Sequence, residues 1–344
     1  MNAHLKPAPL KLGIVGAGAI ARAYAQAIAS TDAVELAAVA DTNAISAASM
    51  AGANGAMPYT SHTDLAASGL CDAVLVTTPP VTHADIVCDV VRHGLPVLCE
   101  KPFAVDLESA RRMARAAEAA GVVLSMASKF RFSDDVIHAR DLVAAGAIGM
   151  PYLLENVFTG VADMTQRWNS DESVAGGGVL IDNGTHSVDI ARYFLGPITE
   201  ILAVAGPRIQ KMAVEDCVTV IARTAGGAQA QIETSWSYHK DRAAFIGIHG
   251  TAGTIEVGWK GSRIKQAGGQ WEPFGAGYDK VASFRRQIEH FASAVQGGDK
   301  ALPNLDDALA SVAVIQAGYR SMKSGAWASV DPLEARRPQL EAVG

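Results

Sequence analysis

The stretch Leu12-Gly13-Ile14-Val15-Gly16-Ala17-Gly18-Ala19-Ile20-Ala21 decides the fold of this chain. Leu12 to Val15 is a short apolar run without polar alternation, which predicts a strand buried on both faces. A Gly-x-Gly-x-x-Ala turn follows directly and opens an alanine-rich helical pattern. In a chain rich in glycine and alanine such a turn arises by chance. Between a strand and a helix it predicts a dinucleotide-binding βαβ unit. Gly16 permits the tight turn, Gly18 lets a pyrophosphate approach the backbone, and Ala21 allows the helix to pack closely on the strand. The helix start, Ala19 and Ile20, then turns its free N–H groups toward the phosphates. Asp41 stands 20 residues after Ala21, at the end of the next apolar run. A carboxylate there accepts hydrogen bonds from the adenosine ribose. Thr42 and Asn43 follow, with no Arg or Lys to meet a 2′-phosphate, so NAD is favoured over NADP. The alternative for Asp41 is a cap on the next helix.

Working outward, apolar runs at Leu36–Ala40, Ala73–Val76, Val97–Cys99 and Val122–Met126 alternate with helical segments at Ile20–Ser30, His83–His93 and Leu107–Ala120. Repeated β-α-β spacing predicts a doubly wound parallel sheet over residues 11–127, a Rossmann α/β domain, after a disordered tail at 1–10. Loops at the carboxyl edge of such a sheet meet the ligand. They carry Thr77-Thr78-Pro79-Pro80 with His83 just beyond, and Glu100-Lys101-Pro102. The threonine hydroxyls are expected to be free for bonding. Pro102 fixes the backbone beside Lys101 and is a candidate for a cis bond. Taken alone, Glu100 and Lys101 also read as a surface ion pair, and His83 as the start of a surface helix.

From about residue 152 the pattern changes to successive runs separated by Gly-rich turns, several of them alternating, as in Gln229-Ala230-Gln231-Ile232-Glu233-Thr234-Ser235-Trp236. Residues 128–344 are therefore expected to form an α+β domain with a large, mostly antiparallel, open-faced sheet and two C-terminal helices, near Val281–Val295 and Asp306–Lys323. The face without helices is expected to be apolar around Ile232, Thr234 and Trp236 and to make a homodimer or homotetramer.

Among these strands lies Gly176-Gly177-Gly178-Val179-Leu180-Ile181-Asp182-Asn183-Gly184-Thr185-His186. In a helix Asp182 and His186 share one face, one turn apart, with Asp189 on the same stripe. A carboxylate beside an imidazole fixes its tautomer and stabilises its protonated form, the make-up of an acid/base unit. The blander alternative is a buried histidine satisfied by an aspartate.

Composition narrows the classes. The 344 residues suit two domains, and 49% hydrophobic against 19% charged content supplies a core. A net charge of −6 without basic runs speaks against nucleic-acid or anionic-membrane partners. No apolar stretch approaches a spanning helix. Four cysteines without a Cys-x-x-Cys pair read as reduced, buried thiols of a cytoplasmic protein.

The ordered set Gly16-x-Gly18-x-x-Ala21, Asp41, Thr78-Pro79-Pro80-x-x-His83, Glu100-Lys101-Pro102 and Gly176-Gly177-Gly178-x-x-x-Asp182-x-Gly184-x-His186 resembles the glucose–fructose oxidoreductase, inositol dehydrogenase and rhizopine-catabolism (Gfo/Idh/MocA) family over nearly the whole chain. The resemblance implies a nicotinamide cofactor on the first domain, with Thr78, Pro79, His83, Glu100 and Lys101 added to its contacts. It implies a sugar, sugar acid or cyclitol as substrate and Lys101, Asp182 and His186 as the catalytic set. It also points to Arg131, Arg167, Trp168, Asn183, Tyr238 and His239 as substrate neighbours.

Alcohol oxidation removes a hydride from carbon and a proton from oxygen. His186 is the natural proton acceptor, oriented by Asp182, with Lys101 hydrogen-bonded to the reacting oxygen. If burial leaves Lys101 neutral, the lysine is the base instead. No metal is called for. The competing functions are a non-catalytic NAD-binding sensor on the same fold and an NAD-dependent glycosidase of the same family.

Overall fold

The computed structural model describes residues 8–330. Most of the tail expected over 1–10 lies outside them. Leu10, included in that tail, instead opens the first strand and is buried. The chain divides into two compact units, each built from three segments. The first takes 8–103, 112–133 and 279–305, and the second takes 104–111, 134–278 and 306–330.

In the first unit the chain runs β1 (Leu10–Val15), α1 (Ala19–Ile28), β2 (Val34–Ala40), α2 (Ala44–Asn54), β3 (Met57–Tyr59), α3 (His62–Ala67), β4 (Ala73–Val76), α4 (His83–Arg92), β5 (Val97–Cys99), α5 (Leu107–Ala120) and β6 (Leu124–Met126). The division between the units falls inside α5. All pairings are parallel, in the order β3-β2-β1-β4-β5-β6. Every residue of β4, β5 and β6 is buried, as expected of strands covered on both faces. The order reverses beside β1, where open α/β sheets bind their ligands.

The second unit contains α6 (Asp134–Ala144), β7 (Pro151–Thr159), α7 (Glu172–Ala175), α8 (Val179–Leu195), β8 (Ile198–Ala205), β9 (Cys217–Thr224), β10 (Gln229–Ser235), β11 (Ala244–Gly250), β12 (Gly253–Gly258), β13 (Ser262–Gln266) and β14 (Glu272–Phe274). The chain then makes α9 (Lys280–Val295), α10 (Leu305–Ser324) and β15 (Ala328–Ser329). Nine strands form one sheet, antiparallel except for β7 beside β10. Helix α8 packs against β7, β9 and β10.

Two expectations are corrected. A single boundary near residue 127 misplaces α9, which belongs to the first unit: Phe284, Ile288, Phe291 and Ala292 share one core with Leu12, Ile14 and Tyr24. An amphipathic pattern shows that a helix buries one face, but leaves open which core receives it. Ile232, Thr234 and Trp236 are not an exposed patch, being 2%, 0% and 5% exposed. Side chains alternate along a strand, so the parity that buries Ile232 turns Gln229, Gln231 and Glu233 to the other face. By cross-strand pairing that face also carries Thr219 and Ile221 of β9 and Leu202 and Val204 of β8. Among the described residues no helix is long and apolar enough to cross a membrane.

Candidate active site

The turn after β1 has the conformation its glycines require. Gly16 has φ +99°, and a Cβ there would stand 3.0 Å from the backbone of Thr77 and Thr78 at the end of β4. Nothing lies within 4 Å of a Cβ built on Gly18, and no side chain caps α1. The helix start is thus open to a phosphate group and its N–H groups are available to it. Ala21 is fully buried beneath. The Asp41 carboxylate accepts from Ala17 N at 2.7 Å and from Asn43 N at 2.8 Å. Asn43, rather than Asp41, caps α2.

The loops beyond β4 and β5 are tied to this turn and to each other. The Thr77 hydroxyl, expected to be free, donates to Val15 O and Gly16 O, while Thr78 Oγ1 accepts from Thr82. His83 is fully buried. Its Nε2 lies 2.9 Å from Thr78 O and its Nδ1 3.0 Å from Pro102 O. Burial pushes the imidazole below its ordinary range, against the pull of those carbonyls. Both ring nitrogens lie against backbone carbonyls, so His83 stands between the Thr78 loop and the Lys101 loop. The Lys101–Pro102 bond is cis. Glu100 is buried, not part of a surface ion pair. It accepts from Tyr24 Oη at 2.7 Å and from Lys101 N at 3.0 Å, and Gln287 of α9 donates to Tyr24 Oη at 2.6 Å. Burial raises the Glu100 carboxyl, with Lys101, Tyr24 and Lys129 opposing. Tyr24 and Gln287 went unrecognised in the sequence, because neither lies in a motif and they are far apart along the chain.

In the second unit α8 bears the other candidates. Asp182 and Asn183 are half-buried, and His186 and Asp189 are 8% and 2% exposed. The Phe158 ring meets the His186 imidazole edge-on, centroids 6.3 Å apart. Phe158 in turn begins an aromatic cluster with Phe245, Trp259 and Tyr278. The start of α8 is held by Glu215, also missed in the sequence. Its Oε1 accepts from Gly178 N and Leu180 N, both at 3.1 Å, and from Tyr319 Oη at 2.9 Å.

The remaining candidates are scattered. Arg131, in a short 3₁₀ turn of the first unit (Lys129–Phe132), is 3% exposed. In the second unit Arg167 and Trp168 are exposed, on a segment whose approach is pinned by Gln210. That side chain accepts from Met164 N and donates to Ala162 O and Trp236 O. Asp216 holds the Gln210 loop by accepting from Ile209 N, Gln210 N and Ser237 Oγ. Tyr238 bonds with Cys217, which together with burial pushes its phenol up to about 12. It is therefore a neutral donor or acceptor at physiological pH. His239 is exposed. The structure thus gathers Asp182, Asn183 and His186 on one helix of the second unit. It gathers Gly16, Gly18, Asp41, Thr78, His83, Glu100 and Lys101 on one sheet edge of the first.

A dinucleotide loop on a 3-2-1-4-5-6 parallel sheet, joined in one chain to a helix bearing Asp182 and His186, defines a two-domain nicotinamide-dependent oxidoreductase. The chain belongs to the Gfo/Idh/MocA family. The model for that oxidoreductase family's NAD-binding Rossmann fold matches residues 10–128, and the model for the GFO/IDH/MocA C-terminal domain matches 136–256. It is 30% identical to the rhizopine catabolism protein MocA of Rhizobium meliloti, over 89% of this chain and 93% of that one. It is 29% identical to inositol 2-dehydrogenase of Rhizobium meliloti (strain 1021), over 91% and 97%. Aldose-aldose oxidoreductase from Caulobacter crescentus, solved with glycerol, superposes with a TM-score of 0.86 at 25% identity, covering 93% of this chain and 99% of that one. The protein is an NAD-binding oxidoreductase acting on CH–OH groups.

Proposed function

We propose that this chain oxidises a ring carbinol of a cyclitol, free sugar or sugar acid and passes the hydride to NAD. The observation that carries the proposal is α8, which sets Asp182 one turn before the buried His186 and lays Phe158 edge-on to the imidazole. The names of the inositol and rhizopine relatives, matched over almost their whole length, support the same substrate class.

Gly16 to Ala21 and Asp41 would hold NAD, which would supply the hydride acceptor. His186 takes the hydroxyl proton. Asp182 orients the ring and stabilises the imidazolium that forms. Lys101 donates a hydrogen bond to the oxygen as alkoxide character develops. Arg167, Trp168, Asn183 and His239 of the second unit offer donors and an aromatic face of the kind that suits a polyhydroxylated ring. A simple alcohol leaves such groups unpaired, and unpaired groups are costly in a closed site. The test is NADH production at ~340 nm across inositols, monosaccharides, sugar acids, nucleotide sugars and short-chain alcohols. Turnover confined to short-chain alcohols refutes the proposal.

The protein is further read as a homodimer or homotetramer in which a second copy covers the sheet face bearing Leu202, Val204, Thr219 and Ile221. Val204 is 58% exposed there. A monomer mass by light scattering at micromolar concentration counts against this. Four free, buried thiols fit a reducing compartment and support a cytoplasmic location.

A further inference from the structure

Helix α8 lacks the side chain that normally satisfies the first N–H groups of a helix. The residue before it is Gly178, which makes no side-chain cap. An aspartate, asparagine, serine or threonine ordinarily fills that place. The donors are instead met from elsewhere in the chain. Gly178 N and Leu180 N both donate to Glu215 Oε1, and Val179 N donates to Glu215 O at 2.9 Å. Tyr319 of α10 donates its hydroxyl to the same Oε1. A negative group at a helix N-terminus also interacts favourably with the helix dipole.

The three glycines fit this arrangement. A Cβ on Gly178 would stand 2.1 Å from Glu215 O, and one on Gly177 2.0 Å from Tyr319 Oη. Gly176 and Gly177 both have positive φ, +81° and +155°. Small residues are therefore needed to bring the helix start down onto Glu215 and Tyr319. The helical ladder begins immediately, with Asp182 N donating to Gly178 O at 3.1 Å. Asp182 thus stands on the first turn that Glu215 anchors, and His186 on the turn above.

We propose that Glu215, held by Tyr319, is a positioning residue: it caps α8 from outside the helix and so fixes where Asp182 and His186 stand. The proposal rests on Asp182 and His186 being the acid/base unit. It adds a distant carboxylate, outside every motif of the chain, that governs their placement. A misplacement of ~1 Å in such a unit costs up to about 10²-fold in rate, so loss of the cap should reach turnover without touching the nucleotide loop.

The test compares Glu215→Ala, Glu215→Gln and Tyr319→Phe with the wild-type chain. Three readouts are taken: amide hydrogen exchange at Val179 to Asn183, the ¹⁵N imidazole shifts of His186, and kcat and KM with the best substrate. Glu215→Ala should speed exchange at Leu180 and lower kcat, each by about 10-fold or more, while KM for NAD stays within about twofold. Glu215→Gln, which keeps an acceptor oxygen, should recover most of the lost turnover. Should the alanine variant fail to fold, the glutamine and phenylalanine variants decide by the same readouts. Unchanged exchange and unchanged His186 shifts in the altered proteins overturn the proposal. So does a loss of turnover that glutamine does not rescue. His186→Ala is run alongside. If it keeps full turnover the acid/base reading fails, while exchange and imidazole shifts still report separately whether Glu215 positions the helix.

Discussion

Asp41 and Ala17 are joined by a 2.7 Å hydrogen bond from the Ala17 N–H to the Asp41 carboxylate. The residue expected to receive the ribose is therefore also a strut of the phosphate-binding turn, since its other oxygen accepts from Asn43 N. Asp41→Ala should raise KM for NAD and relax discrimination against NADP by about tenfold or more, because it removes both an acceptor and a negative charge that repels a 2′-phosphate. The ratio of kcat/KM for the two cofactors measures this, and an unchanged ratio contradicts it.

His186→Ala should lower kcat by roughly 10²–10⁴, the range for a positioned acid/base group. NAD affinity should be nearly unchanged, because the turn at Gly16 and Gly18 and the Asp41 carboxylate are left intact. Lys101→Met should also reduce kcat strongly. Steady-state kcat of the two variants against wild type checks both expectations, and wild-type turnover in either one contradicts the role given to that residue.

Gly178→Ala should destabilise the protein by on the order of 1–3 kcal/mol, because the added methyl runs into backbone that cannot swing aside. Gly226→Ala is the matched control, with nothing within 4 Å of its Cβ. Thermal unfolding of the two variants should separate them by several degrees, and equal midpoints would show that α8 can lift from Glu215 without penalty.

Asp216 provides a signed pH dependence. Burial raises its carboxyl, but the Gln210 N–H, the Ser237 hydroxyl and the Ile209 N–H outweigh this, and the net shift is downward. A carboxyl whose folded-state value is depressed contributes stability above its unfolded value, and that contribution is lost as pH falls through the folded one. Asp216→Asn should therefore be less stable than wild type near neutrality, with the gap closing below about pH 4. Urea midpoints measured from pH 7 down to pH 3 test this, and a gap that stays constant across the range contradicts it.

The glycine turn at Gly16 and Gly18 and the shared face of Asp182 and His186 on α8 are legible because each rests on a few consecutive residues. What stayed hidden depends on meetings across long stretches of chain. Glu215 reaches back 37 positions to Gly178, Gln287 reaches 263 positions to Tyr24, and α9 rejoins the core of β1. His83 was noticed, but its role was not legible, because only the folded loops show three carbonyls closing around the ring. Alternation fixes which residues share a face but not which face a helix will cover, and Ile232 and Trp236 lie on the buried one.

The interleaving of the two units bears on how the protein is made. Helix α9 supplies Phe284, Ile288, Phe291 and Ala292 to a core begun by Leu12 and Ile14, and α10 belongs to the unit that begins beyond residue 103. A nascent chain halted at Tyr278 carries every strand of the first sheet, yet lacks one wall of each core. Domains ordinarily fold in turn as they leave the ribosome. Here the unit translated first must wait for residues 280–295 to emerge, so its apolar surface stays partly open until then, and pausing before α9 should make the chain dependent on chaperones.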